Sequence, residues 1–321
     1  MPTIDDIIKL SGVSRSTINR FLAGQTVRGD NAKKIKSAMK ELNYRPDKLV
    51  EKRNCTILVI SASGDRRLSS FQGFAEMMIG IIRRMEEGGA TVLMQSGNNT
   101  DSRYIPRVDG VIMFGLKSEK EDELIDALKL RGIPFVFAYR EINRSGVSYV
   151  TCDNYHAAYE MTEMLIKKGH KKIAVCGGGT IKRNMMEKLQ GFKDCMAAYN
   201  LPVPSYLAFE SIEGGMRAWV EKLLDDKIDF SAFFGLTDAL ATKFMEIAQE
   251  RGYKIPDDFA VVGMDGTTEA VYTKPKLTSV TIPFAEIGKK AAEVMFQLLD
   301  EPETVCIRKY LKYKITYRES D

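Results

Sequence analysis

Two hydrophobic periodicities divide the chain. Up to about residue 50 apolar side chains recur at helical spacing; from Cys55 onward short apolar runs alternate with longer amphipathic stretches. In the first region Ile4, Ile7, Ile8 and Leu10 line one helix face. Thr3 offers that helix a capping hydroxyl and Asp6 places an acid in its first turn. Ser11-Gly12 ends it, because glycine suits the left-handed residue of a tight turn. Ser14 can cap a second helix in which Ile18, Phe21 and Leu22 face inward and Arg15, Ser16, Asn19 and Arg20 face outward. Gly24 closes it, and Asp30 or Asn31 begins a third, with Ala32, Ile35, Met39 and Leu42 on its apolar face.

Beyond residue 55 the pattern predicts strands over 56–62, 90–94, 110–114, 134–139, 148–152, 172–177, 231–236 and 259–265. Helices are predicted between them, over 72–87, 154–168, 184–199, 214–226 and 238–251. Such alternation builds parallel sheets with helices on both faces. The stretch is long enough for two subdomains, and in open parallel sheets ligands sit beyond the carboxyl ends of the strands. A cleft between two facing sheets is therefore the expected small-molecule site.

Charge sharpens this division. Residues 1–53 hold 12 Lys/Arg against 6 Asp/Glu, while the remainder is close to neutral, so the net charge of +4 originates in the first sixth of the chain. That is the electrostatic footprint of a nucleic-acid module on a neutral body. No apolar run approaches a membrane span, and the N-terminus lacks a basic-then-apolar leader, so residence in the cytosol is expected. Cys55, Cys152, Cys176, Cys195 and Cys306 are scattered, and only His156 and His170 could join them as ligands. Neither a zinc site nor a disulfide framework is expected, and buried thiols are the default.

Helix, glycine turn, helix with polar first positions and third helix together read as a helix-turn-helix, whose second helix enters the major groove. Arg15 can make a bidentate pair with guanine and Ser16 can donate or accept. Lys33, Lys34 and Lys36 are placed for phosphates, which add affinity but little sequence information. On periodicity alone a plain three-helix bundle with a solvated basic face is an equal reading.

The run TIDDIIKLSGVSRSTINRFLAG, followed by AMKELNYRPDKL, resembles the headpiece of the lactose-repressor (LacI/GalR) family. Gly12, Val13, Ser14, Thr17, Arg20, Leu42, Tyr44 and Pro46 match that family's ordered pattern. The resemblance implies that Arg15 and Ser16 are the variable base-reading positions. It also implies DNA contacts by Thr3, Ser14, Thr17, Asn19, Arg20 and Tyr44, and by Lys48, Leu49 and Val50 of a minor-groove hinge. Asp47 replaces the family's usual Asn, and Arg53 stands where a Leu wedge is common, which argues against a strong central kink.

The body is similar to the same family in the runs VDGVIMFG, LIKKGHKKIAVCGG, KLQGF, FGLTDALA, IPDDFAVVGMDG and PKLTSVTIPFAEIGKKA. The implied architecture is α/β: a three-helix headpiece plus two doubly wound parallel-sheet lobes of periplasmic-binding-protein type. Expected boundaries are a headpiece over 1–46, a hinge over 47–55 and a core over 56–321. Within that core the N-terminal lobe takes about 56–153 and 284–306, and the C-terminal lobe about 154–283 and 307–321. The segment 96–110 is short for the family, so a helix of the N-terminal lobe is expected to be missing or vestigial.

Effector contacts implied by the resemblance are Phe71, Tyr139, Asp153, Lys182, Lys188, Thr237 and Asp265. Lys188 replaces an anchoring Arg, Thr237 replaces a common Asn, and Asp265 retains an acid able to accept two sugar hydroxyls. Lysine is a point charge without the planar fork of arginine. Lys182, Arg183 and Lys188 together admit a phosphate- or carboxylate-bearing effector, the alternative being a solvated loop.

Other features take plainer readings. Gly177-Gly178-Gly179 lacks the spacing of a phosphate cradle, His170 reads as a structural donor, Trp219 as packing, and Met77 and Met78 as core or dimer-facing. No spaced Ser/His/Asp set is present, so no enzyme activity and no cofactor are expected. The expectation is thus a homodimeric, operator-binding regulator, most readily a repressor, that answers to a sugar-like or anionic metabolite. A transport receptor and an enzyme with a targeting tag are the other classes; the basic headpiece argues against the first and the missing catalytic set against the second. No Leu-rich heptad tail follows the core, so a dimer is expected rather than a tetramer.

Overall fold

The computed structural model describes residues 2–22, 27–42, 44, 55–61, 72–96, 105, 107–115, 118–177, 183–209, 215–301, 303 and 306–321. Helix α1 (Ile4–Ser11) opens on Thr3, whose side chain and that of Asp6 form a reciprocal capping box, and closes on Gly12 at φ 66°. Helix α2 (Arg15–Leu22) follows directly. Helix α3 (Gly29–Glu41) starts one residue earlier than expected, from Arg28, which gives it no side-chain cap. Ile7, Val13, Ile18, Ile35, Ala38 and Met39 close a small core between the three helices.

The N-terminal lobe carries strands β1 (Thr56–Ser61), β2 (Thr91–Ser96), β3 (Gly110–Phe114), β4 (Phe135–Ala138) and β5 (Ser148–Cys152). Helix α4 (Gln72–Glu87) lies between β1 and β2, and α5 (Ser118–Leu130) between β3 and β4. The chain then enters the C-terminal lobe through α6 (Asn154–Lys167), β6 (Ile173–Cys176), α7 (Arg183–Ala198), β7 (Ala208–Phe209) and α8 (Met216–Asp225). It continues through β8 (Ala232–Gly235), α9 (Asp238–Glu250), β9 (Ala260–Asp265), α10 (Glu269–Tyr272) and β10 (Thr278–Thr281). Helix α11 (Phe284–Asp300) and β11 (Arg308–Leu311) return to the first lobe, and β12 (Lys314–Thr316) ends in the second.

The two sheets run β11-β5-β4-β3-β1-β2 and β12-β10-β9-β8-β6-β7, parallel except for the β10–β12 pair. The last passage between lobes corrects the expected boundary at 306/307. Arg308–Leu311 pairs in parallel with Tyr149–Cys152, so the first lobe extends to Leu311. Ladder hydrogen bonds, which the hydrophobic pattern of one segment does not encode, make that assignment. Between β2 and β3 no helix occurs among the described residues, and Leu93 and Met94 of β2 stand 40% and 52% exposed.

Strands β1, β3, β4 and β5 are buried almost throughout, as expected for parallel strands covered on both faces. One apolar cluster runs through both lobes, from Ile57 and Met77 to Phe192 and Phe234. Helices α4 and α11 touch backbone to backbone. A Cβ on Gly80 would lie 2.0 Å from the Ala285 carbonyl oxygen, and one on Gly288 would lie 2.1 Å from that of Met77. Met77 and Met78, for which the sequence admits either core or dimer surface, are both buried.

Candidate functional site

Two regions carry the expected site residues. In the headpiece, Ser14, Arg15, Ser16, Asn19 and Arg20 are all exposed while Ile18 between them is fully buried, so these residues form an exposed face of α2. Ser14 also holds the start of that helix. Its hydroxyl lies 3.4 Å from the Thr17 backbone N–H, which donates to it, and 2.9 Å from the Thr17 hydroxyl. Thr3 is occupied similarly, its N–H and hydroxyl both donating to Asp6 Oδ2 at 2.8 Å. That double bond holds the Asp6 carboxyl below its ordinary value. Arg15 pairs with Asp5. Lys33, Lys34 and Lys36 lie exposed along α3, and Tyr44 packs half-buried against the headpiece core. Lys48, Leu49 and Val50, with Asp47 and Arg53, lie outside the described residues.

The second region lies where the carboxyl ends of both sheets face each other. Tyr139 follows β4 and Asp265 ends β9, and both have left-handed backbones, φ 57° and 120°. Such conformations cost non-glycine residues about 1–3 kcal/mol each and concentrate at functional sites. Gly266 follows at φ 71°, where a Cβ would lie 2.6 Å from Thr281 Cα. Lys188, on α7, reaches this point: its Nζ donates to Asp265 Oδ1 and to the Leu236 carbonyl, each at 2.9 Å. Both charged side chains are only 2% exposed.

From the other lobe the Tyr139 hydroxyl donates to Asn154 Oδ1 at 3.1 Å, and Asn154 Nδ2 donates to Glu187 Oε2 at 3.2 Å. Burial, then the nearby charge of Asp265, raises the Tyr139 hydroxyl well above its ordinary value, so it stays a neutral donor. Its ring meets Phe284 edge-on at 4.8 Å. At the rim Gln72 of α4 makes a two-point bond to Thr268. Its Nε2 donates to Thr268 Oγ1 at 2.8 Å, and its Oε1 accepts from the Thr268 N–H at 2.6 Å.

The expected effector residues therefore separate. Tyr139, Lys188 and Asp265 share one cluster. Thr237 caps α9, accepting from the Leu240 N–H at 3.3 Å. Asp153 caps α6, accepting from the His156 N–H at 3.0 Å and pairing with His156 Nδ1 at 2.7 Å. Phe71 and Lys182 lie outside the described residues. Sequence reasoning missed Asn154 and Glu187. The signal available for Glu187 was helical phase: it shares a polar face with Asn184 and Lys188, while Met185, Leu189 and Phe192 take the core side. Asp238 was missed as well. Fully buried, it accepts from the Thr267 N–H at 2.6 Å and the Thr267 hydroxyl at 3.0 Å, and it also accepts from the Ser279 hydroxyl, anchoring the loop after β9. Burial raises its carboxyl, against the lowering effect of the Ser279 and Thr267 bonds.

The remaining candidates are structural. Trp219 stacks on Phe209 at 5.2 Å and donates to the Tyr206 carbonyl at 3.1 Å. His170 Nδ1 lies 2.9 Å from the Ser231 hydroxyl. Burial pushes the Cys152 and Cys176 thiols up to about 12, which leaves them unreactive. Among the described residues no group of three or more His, Cys, Asp or Glu could hold a metal ion, and no helix is long and apolar enough to cross a membrane.

Known proteins resemble both parts of the chain. The family described as "Bacterial regulatory proteins, lacI family" matches residues 3–47, and "Periplasmic binding protein-like domain" matches residues 162–320. The HTH-type transcriptional regulator CelR of Thermobifida fusca is 28% identical, over 99% of this chain and 98% of its own length. Catabolite control protein A of Priestia megaterium is 29% identical with the same coverage. A solved transcriptional regulator CelR–cellobiose complex superposes with a TM-score of 0.75 at 27% identity, covering 100% of both chains. The lac repressor dimer bound to operator and the anti-inducer ONPF shares the fold, with a TM-score of 0.72 at 20% identity over 99% and 98% of the two chains.

Proposed function

The chain belongs to the LacI family of bacterial regulatory proteins, and from that premise we propose a homodimeric transcriptional repressor whose operator affinity is set by a saccharide-type effector held between its lobes. The observation that carries this reading is the exposed face of α2, where Arg15 and Ser16 stand at the first helical turn with no core to pack against. Those positions meet base edges when such a helix lies in the major groove. Ser14, Thr17, Asn19, Arg20 and Lys34 then serve phosphates and flanking bases, with residues 47–55 as the hinge. Two headpieces on a two-fold axis require half-sites about one helical turn, roughly 34–36 Å, apart.

The effector reading draws on the cellobiose complex of CelR and on the polar cluster of Tyr139, Asn154, Glu187, Lys188 and Asp265. A ligand there touches both lobes, and coupling of about 1–3 kcal/mol is enough to switch operator occupancy. The protein acts without catalysis or a cofactor, and in the cytosol, where operator DNA is found. Selection of bound DNA from a random pool at stated salt tests the function. An enriched palindrome is expected; equal affinity of the folded dimer for every sequence would overturn it.

A further inference from the structure

The residue expected to anchor an anion is already committed. Nζ of Lys188 spends two of its three donors inside the protein, on Asp265 Oδ1 and on the Leu236 carbonyl, and its side chain is 2% exposed. One ammonium thereby joins three elements at the carboxyl ends of the C-terminal sheet: α7, which bears it, the end of β8 and the end of β9. Asp265 is held at φ 120°, a conformation that persists only where the surroundings impose it. Here the backbone Ile282 N–H, donating to the Asp265 carbonyl at 3.2 Å, and the Lys188 ammonium supply the two ends of the clamp.

We propose that Lys188 is a positioning residue: it holds the Asp265 carboxylate from behind, so that Asp265 and not Lys188 meets the ligand, and the site selects uncharged polyhydroxy ligands over their phosphorylated or carboxylated counterparts. This rests on the effector reading above. The chemistry follows from charge. A carboxylate is an acceptor only and bonds hydroxyl donors well in a dry site, and the Lys188 ammonium pairs with it without being exposed itself. A phosphate entering the same place would meet an acceptor of like sign and gain nothing from an ammonium committed behind it.

The test uses the full-length protein and a thermal-shift panel of neutral mono- and disaccharides, cellobiose included, beside the phosphates and acids of the same sugars. Calorimetry on each ligand that shifts the melting curve then gives its affinity. Uncharged members are expected to bind and their anionic counterparts to bind less tightly. Lys188→Met and Asp265→Asn are each expected to weaken a neutral ligand about 10- to 100-fold, the loss of one charge-assisted hydrogen bond. The double variant, which leaves no unpaired charge, is expected to be no weaker than either single, because both act through one contact. An anionic ligand preferred over its neutral counterpart, with that preference abolished by Lys188→Met, would make the lysine a direct anchor and overturn the proposal. Additive losses in the double variant would overturn it too. If no member of the panel binds, the effector reading itself fails, an outcome distinct from a hit of the wrong charge.

Discussion

The guanidinium of Arg15, the first residue of α2, is paired with the carboxylate of Asp5 in the first turn of α1. Both side chains are more than half exposed, so the pair itself is worth little, about 0–1 kcal/mol. Its importance is competitive, since the same guanidinium is the proposed base-reading group. Asp5→Asn is therefore expected to tighten specific DNA binding by up to about fivefold, and more so at low salt. Arg15→Ala should cost about 1–3 kcal/mol on the preferred site and relax the base preference at one position. Fluorescence anisotropy on the selected site and on single-base variants measures both; unchanged preference in Arg15→Ala would displace α2 as the reading helix.

Removing one partner of the Lys188–Asp265 pair also has a stability cost separable from ligand binding. Lys188→Met leaves the Asp265 carboxylate buried beside a hydrocarbon chain, and a loss of about 3–5 kcal/mol is expected. Adding Asp265→Asn should return much of that loss. Urea denaturation at one fixed protein concentration compares the three variants, and a Lys188→Met protein as stable as the parent would contradict the expectation.

Gly80 marks a close contact between α4 and α11. Its missing Cβ would sit 2.0 Å from a backbone oxygen of α11, which cannot swing aside like a side chain. Gly80→Ala is expected to force the two helices apart and destabilise the protein by about 1–3 kcal/mol. The fall in melting temperature reads this out, and an unchanged value would contradict a backbone-to-backbone contact between α4 and α11.

Acid should weaken the fold in part through His170. Burial, then the charge of Lys168, lowers its imidazole below the ordinary 6.5. The unfolded chain then binds a proton that the folded one resists, so this contribution is complete above 6.5 and is lost as pH falls below it. The melting temperature of the parent is expected to drop faster between pH 7.5 and 5.5 than that of His170→Gln (a range chosen about the ordinary histidine value). Parallel slopes would remove His170 from the acid response.

The headpiece was legible because its signals are local. Thr3 and Asp6 cap α1, Gly12 ends it at φ 66°, and Ile18 repeats at helical spacing, all within reach of neighbouring residues. The alternation of buried strands and amphipathic helices was legible for the same reason, and α4 begins and ends where periodicity placed it. Helices α5 and α11 were not among the predicted ones, although both lie in the described core.

Other features depend on partners distant in sequence. Arg308–Leu311 joins the first lobe because it hydrogen-bonds Tyr149–Cys152, more than 150 residues away. Lys188 could be read from the chain as a solvated cation or an anion anchor; its partner Asp265 lies 77 residues on, and folding makes the two one buried, neutral unit. Asp153 and Thr237 have residue types suited to a ligand, yet their oxygens cap the helices that begin beside them. Most of the helices and strands, and the basic headpiece at one end of the chain, could be read from the residues alone, because periodicity, capping and charge are local properties. The tertiary structure decided what each polar side chain does, because the free energy of a buried charge or hydrogen bond depends on the group brought opposite it.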